Sequence, residues 1–177
     1  MKYTIFNTKF GFFGILTKKN GILRTSLPTP TRRSAENYLL EGLTGAKFDA
    51  GLLPDLQSQI KSYFTGTYVD FDTNIPLLTE DLSQFTQDIL KACINIQYGQ
   101  TASYADLAKN ANHPKAARPT GSVMAKNPIP LIIPCHRVIK SDGKTGGFQQ
   151  NRPGGCQQNR PGGPDLKKRM LHLESPK

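Results

Sequence analysis

An α/β domain over residues 1–76, followed by a mostly α-helical domain over 77–177, is the fold class this sequence predicts. Two observations carry it. Between residues 2 and 26 the apolar residues come in short runs separated by turn signals, the pattern of strands. From residue 54 onward they recur at helical spacing. The chain has 177 residues, 37% of them hydrophobic, which suffices for one large domain or two small ones with packed cores.

In the first part, Tyr3, Ile5 and Phe6, then Phe12, Phe13, Ile15 and Leu16, then Ile22 and Leu23 mark three strands. Lys18-Lys19-Asn20-Gly21 is a hairpin turn between the last two. Residues 27–33, rich in Pro and Thr, form a loop, and a short helix covers Ser34 to Leu40. Pro54 opens a second helix with Leu56, Ile60, Tyr63 and Phe64 on one face. Residues 65–76 are irregular or extended.

In the second part, Thr79 is the expected N-cap of a helix whose stripe is Leu82, Phe85, Ile89, Cys93 and Ile96, ended by Tyr98-Gly99-Gln100. Cys93 on that stripe reads as core. Residues 101–127 suggest a helix-turn-helix. Ser103 to Asp106 forms a capping box for a helix through about Asn110, Asn112-His113-Pro114 breaks it, and a second helix runs with Pro119 in its first turn to about Lys126. Such hairpins of helices also occur in cores that bind nothing. A last amphipathic helix spans about 164–174.

Lys and Arg number 23 against 13 Asp and Glu, a net charge of +10. That balance suits a polyanion such as nucleic acid, or an anionic membrane surface, though a soluble protein can also be simply basic. No stretch approaches a membrane span, and Asn7 and Lys9 interrupt the opening residues before a secretory leader's core forms. Three cysteines without a CxxC pair argue against a disulfide framework or a zinc finger, and reduced thiols point to the cytoplasm.

The chemistry concentrates at NPIPLIIPCHRVI, residues 127–139. Pro128, Pro130 and Pro134 impose an extended path, and the apolar residues between them imply burial. Cys135-His136-Arg137 then places polar groups inside an apolar run, which needs a reason. A thiolate is a strong nucleophile and an adjacent histidine can take its proton, directly through a turn or by a bridging water. A buried structural cysteine beside a histidine that satisfies a backbone group reads equally well from these residues alone.

PCHRV, preceded by NPIPLII and by PKAAR, resembles the active-site signature of the O6-alkylguanine-DNA alkyltransferase family, the methylated-DNA–protein-cysteine methyltransferases. The likeness is strong over 98–148, resumes at 163–174, and over 1–76 is architectural. It implies a ribonuclease-H-like N-terminal domain and a winged helix-turn-helix in the second. It implies direct transfer of a methyl or other alkyl group from O6 of guanine, and O4 of thymine, onto Cys135, once per molecule. His136 would deprotonate Cys135 through a water, and Glu174 would polarise that histidine. Asn127 would bridge the recognition helix to the active-site turn. Tyr104 would hold the flipped nucleotide and hydrogen-bond the guanine, and Arg118 would fill the gap in the duplex. The carbonyls of Cys135 and Val138 would read the guanine amino group. Phe148 and the amides near Gln149 would line the pocket, and Lys167 would help hold the guanine loop. The partner implied is double-stranded DNA carrying O6-alkylguanine, approached from the minor groove by a monomer, with no cofactor, no metal and no membrane.

Three features depart from the pattern. Phe148 stands where many relatives have tyrosine, and Gln149-Gln150 occupy a segment that is often small. QQNRPGG at 149–155 recurs at 157–163, lengthening the path from Cys135 to Glu174 by eight residues. Cys156, between the copies, reads as a solvent-exposed spectator. The rival readings are a non-enzymatic alkylguanine-DNA binding protein that flags lesions for other repair, a cysteine hydrolase, and a plain DNA-binding regulator. The first lacks an acceptor cysteine, no hydrolase motif accompanies Cys135, and a regulator leaves the cysteine unexplained.

Overall fold

The computed structural model describes residues 1–71, 74–146 and 162–175. It opens on an antiparallel meander of β1 (Lys2–Thr8), β2 (Gly11–Lys18) and β3 (Gly21–Thr25). The turn expected at 18–21 joins β2 to β3, with Lys19 in the left-handed region at φ 53°. Helix α1 (Arg32–Leu40) begins two residues before the expected start, because Thr31 caps it by accepting from the Ser34 amide. A short strand, β4 (Lys47–Phe48), then pairs in parallel with β1, giving a mixed sheet in the order β3-β2-β1-β4.

Side chains along β1 and β2 divide between the two faces, as strand geometry requires. Tyr3, Ile5 and Leu16 pack with Ala35 and Leu39 of α1. Phe6, Phe13 and Ile15 face the other way, toward α2 (Pro54–Phe64), whose Leu56, Ile60, Tyr63 and Phe64 are buried. That second cluster continues without a break into the C-terminal half, through Ile89, Cys93, Leu107, Ile129, Ile133, Val138 and Met170.

Helix α3 runs from Gln84 to Ile94. This corrects the expected N-cap: Ser83, not Thr79, accepts from the Thr86 amide, and residues 79–82 turn on a Leu82-to-Thr79 backbone bond instead. Ile94 also ends the helix earlier than Tyr98-Gly99-Gln100, and Asn95 is its C-cap. Leu82 and Ile96 nevertheless pack on the core from outside the helix, and Cys93 is fully buried there as expected.

A two-residue strand, β5 (Ala102–Ser103), leads into α4 (Tyr104–Asn110). The capping box forms: Ser103 Oγ accepts from the Asp106 amide while Asp106 accepts from the Ser103 amide. Asn112, at φ 65°, turns the chain into α5 (Ala117–Ala125), with Pro119 in its first turn. Residues 138 and 139 form β6 (Val138–Ile139), parallel to β5, and α6 (Pro164–Glu174) closes the chain over the span expected. No helix among the described residues is long and apolar enough to cross a membrane.

Candidate active site

The segment after α5 is not the continuous extended run expected: it bends at residues 128–129 and turns at 131–132, where the Ile133 amide bonds back to the Ile129 carbonyl. Cys135–Arg137 is a single 3-10 turn, so the expectation of an extended path through the polar trio is corrected here. Pro134 sits at ψ 59°, off the extended region, and the Arg137 amide bonds back to its carbonyl at 2.9 Å. The approach is held from three sides. Thr25 of β3 donates its amide to the Pro128 carbonyl (3.0 Å) and its hydroxyl to that of Pro130 (2.8 Å). Asn127, buried just past α5, donates from Nδ2 to the Ile133 carbonyl (2.9 Å) and accepts at Oδ1 from the Ile129 amide (3.0 Å). Leu131, buried at φ 78°, makes the tight reversal between them.

Glu174, the last residue of α6, is the hub. Glu174 is 3% exposed, and its carboxylate gathers four donor residues from three segments of the chain. Arg137 gives Nε to Oε2 (2.9 Å) and a terminal nitrogen to Oε1 (3.0 Å). Tyr63 of α2 donates to Oε1 (2.9 Å), and the Gly99 amide donates to Oε2 (3.2 Å). Gly99 lies at φ 76°, and a Cβ there would stand 2.9 Å from the Glu174 carbonyl oxygen, so only glycine brings its amide this close. His136 Nε2 completes the set at 2.8 Å from Oε1. Burial raises the Glu174 carboxyl, but the hydrogen bonds and charges of His136 and Arg137 outweigh it and bring the pKa down to about 2.

That ionisation assigns the histidine tautomer. A carboxylate only accepts, so Nε2 must carry the proton it donates to Oε1. Burial, joined by the charges of Arg137 and Lys167, outweighs the support of Glu174 for a charged imidazole, so the His136 pKa is lowered and the ring is neutral near pH 7. Nδ1 is then a bare acceptor. It is buried, and it makes no hydrogen bond among the described residues.

Cys135, 2% exposed, begins the same turn. Lys167, Tyr104 and the buried Cys93 all feel its charge. Lys167 of α6 is fully buried and donates from Nζ to the Val138 carbonyl. Burial depresses its pKa to about 8, against the opposing pull of Cys135 and Cys93. Tyr104, the half-buried first residue of α4, lies 5.9 Å from Lys167 Nζ at its ring centroid. Burial, then the charge of Cys135, raises its hydroxyl pKa. A Cβ on Gly146 would stand 3.2 Å from the Tyr104 hydroxyl, so that hydroxyl faces the start of the loop. The Cys135 carbonyl accepts from the Val138 amide, so both carbonyls expected to read a base already take part in internal hydrogen bonds.

The fold thus brings Cys135, His136, Glu174, Lys167, Val138 and Tyr104 to one place, with Asn127 supporting the turn. Arg118 is exposed at the second position of α5. Phe148, Gln149 and Cys156 lie outside the described residues. No group of three His, Cys, Asp or Glu arranged to hold a metal occurs among the described residues. Three contributors were missed from sequence: Tyr63, which looked like one more apolar residue on a helix stripe, Gly99, read only as a helix end, and Arg137. A signal for Arg137 existed, since an arginine inside an apolar run must find a carboxylate.

Residues 84–176 match the family model described as 6-O-methylguanine DNA methyltransferase, DNA binding domain. The chain belongs to that family. It is 39% identical over 100 residues to a methylated-DNA–protein-cysteine methyltransferase of Mycobacterium tuberculosis, a stretch covering 56% of this chain and 59% of that protein. With the Cricetulus griseus methyltransferase of the same name, identity is 33% over 159 residues, 84% of this chain and 75% of the relative. The fold is similar to that of Mycobacterium tuberculosis OGT in complex with DNA, at a TM-score of 0.77, 28% identity, and 98% and 92% of the two chains. The mixed sheet with flanking helices is therefore the architecture of this methyltransferase family.

Proposed function

We propose that the protein repairs DNA by moving a methyl or other alkyl group from O6 of guanine, and from O4 of thymine, onto Cys135, and is consumed in doing so. The single observation that carries this reading is a cysteine beginning the same turn as a neutral, Glu174-bound histidine whose Nδ1 is a bare acceptor. A water bridging Cys135 to Nδ1 would carry the thiol proton to His136. The sulfur then displaces the alkyl carbon from oxygen in line. A C–S bond forms, the C–O6 bond breaks, and the electron pair passes to the purine. The Tyr104 hydroxyl is positioned to hydrogen-bond that developing charge, and Lys167 fixes the Val138 carbonyl that faces the base. The product is a thioether, and none of the described side chains of the site is placed to cleave it.

The O6 carbon lies within the base stack, so the nucleotide must be flipped out at a cost of about a few kcal/mol. We assign that work to a helix-turn-helix of winged type formed by α4 and α5, entering the minor groove with Arg118 replacing the lost base. Phe148 and Gln149 would line the pocket. We divide the chain near residue 76 into a ribonuclease-H-like first domain and an alkyl-acceptor second domain, acting as a cytoplasmic monomer on duplex DNA without cofactor or metal. Its net charge of +10 supports binding that weakens as salt rises. A lesion-flagging binder is disfavoured because the acceptor cysteine is present.

The test is the mass of the intact protein after mixing with an oligonucleotide containing O6-methylguanine. One added methylene mass per chain, on the Cys135 peptide, is expected. An unchanged mass with retained binding would convert the protein to a binder.

Two further expectations arise here. Arg118→Ala lowers alkyl uptake from duplex DNA much more than uptake from free O6-benzylguanine, because Arg118 is exposed on α5, a helix assigned to the duplex. Equal losses on the two substrates would refute its role in the duplex. Deleting residues 156–163 leaves folding intact and keeps or raises activity. The copies are identical, so RPGG still precedes Pro164, and the Gly163 carbonyl that accepts from the Lys167 amide is replaced by that of Gly155. Loss of activity with a native melting curve would make the second copy part of the pocket.

A further inference from the structure

We propose that Tyr63, on α2 in the N-terminal half, is a positioning residue for the thiol chemistry: its hydroxyl shares Glu174 Oε1 with His136 and sets how strongly that carboxylate supports the imidazole. The proposal rests on the alkyl-transfer reading above.

The geometry is specific. The Tyr63 hydroxyl lies 2.9 Å from Glu174 Oε1 and 3.3 Å from His136 Nε2, and its ring meets the imidazole edge-on with centroids 6.2 Å apart. Tyr63 is fully buried, so its hydroxyl needs a partner, but any backbone carbonyl would have met that need. Instead it takes the oxygen that the histidine uses. A phenol has one proton, and with Nε2 already protonated that proton goes to the carboxylate. Each donor on Oε1 draws off part of the charge that would otherwise stabilise an imidazolium.

The charged groups acting on His136 come from two segments, and a second phenol stands beside Tyr63. Lys167, like Glu174, projects from α6, Arg137 follows in the same turn, and Tyr98 lies beyond α3 with its ring 6.4 Å from that of Tyr63. Lys167 and Arg137 oppose a proton on the ring, and Glu174 favours one. Tyr63 acts on neither cation; it acts on Glu174. It also brings the N-terminal half to the acid–base pair, from a helix that packs on β1. A Phe in its place removes only the hydroxyl, and Arg137 and Gly99 still hold the carboxylate.

The experiment follows the His136 imidazole protons by NMR against pH, in wild type and in Tyr63→Phe, alongside uptake of free O6-benzylguanine by Cys135. Tyr63→Phe is expected to raise the His136 pKa by roughly half a unit to one unit. The acid limb of the uptake profile, where a protonated imidazole can no longer accept the thiol proton, should move up by the same amount. In a Glu174→Gln background the same substitution should leave the histidine titration unmoved, because Tyr63 acts through that carboxylate. Site-specific 3-fluorotyrosine at position 63, a stronger donor of nearly the same shape, should move His136 the opposite way, and it decides the matter if the Phe variant does not fold. Superimposed titrations of wild type and variant, or equal shifts with and without Glu174, would overturn the proposal. A wild type that takes up no alkyl group overturns the function reading instead, and the histidine titration still decides whether Tyr63 tunes the imidazole.

Discussion

Cys135→Ser is expected to abolish alkyl uptake while leaving the fold and DNA binding intact. The substitution exchanges sulfur for oxygen at one nearly buried atom, so the turn and the Glu174 cluster should survive. The chemistry should not. A serine hydroxyl ionises far less readily than a thiol, and His136, neutral and held below its usual pKa by burial, is too weak a base to make an alkoxide. Binding rests on phosphate contacts, which do not involve position 135. Wild type should show a burst equal to the protein added and no turnover afterwards. Cys93→Ala should retain full stoichiometry, because Cys93 is buried in the core with its pKa pushed well up by desolvation. Cys156→Ser should retain it as well. Intact mass and peptide mapping after a saturating dose of methylated oligonucleotide decide the matter. Sustained turnover, or methyl on Cys93 or Cys156, would sink the assignment.

Much of this molecule was legible in the residues because local signals and global packing agree. The capping box at Ser103 to Asp106, Pro54 at a helix start and the turn at 18–21 are each satisfied within a few residues, so no tertiary information was needed to place them. Thr79 misled because it has a capping side chain followed by acidic residues, which Ser83 lacks. Ser83 prevails because it leaves Leu82 free to pack on the core ahead of the helix. Cys135, His136 and Glu174 could be named from a motif and a carboxylate at a helix end. What the residues could not disclose is how Glu174 is held. Its donors come from positions 63, 99, 136 and 137, and only the folded chain sets Tyr63 111 residues away against it. The turn at Cys135 was hidden for a related reason. Proline signals an absence of helix, and a single 3-10 turn satisfies that as well as a strand does.

Arg137→Ala is expected to destabilise the protein more than any other single truncation in the site, by about 3–5 kcal/mol near pH 7. The guanidinium makes two of the bonds that hold Glu174, a third at 2.6 Å to the Ile96 carbonyl, and lies 5.8 Å over the Tyr98 ring. Without it the carboxylate stays buried with its charge uncompensated. Lysine should not rescue, since a point charge cannot reach both carboxylate oxygens in one plane. The pH dependence separates this cause from lost packing. In wild type the Glu174 pKa falls from 4.5 unfolded to about 2 folded, so its contribution, roughly 3 kcal/mol, is complete above pH 4.5 and drains away as pH falls toward 2. His136, also lowered on folding, adds an earlier loss that begins as pH drops below 6.5. In Arg137→Ala the buried carboxyl titrates higher and takes up a proton sooner, which relieves the uncompensated charge. The gap in stability between wild type and variant should therefore narrow steadily from pH 7 to pH 3 in urea denaturation curves. A gap that stays constant across that range would assign the loss to packing of the arginine stem and remove Glu174 from the account.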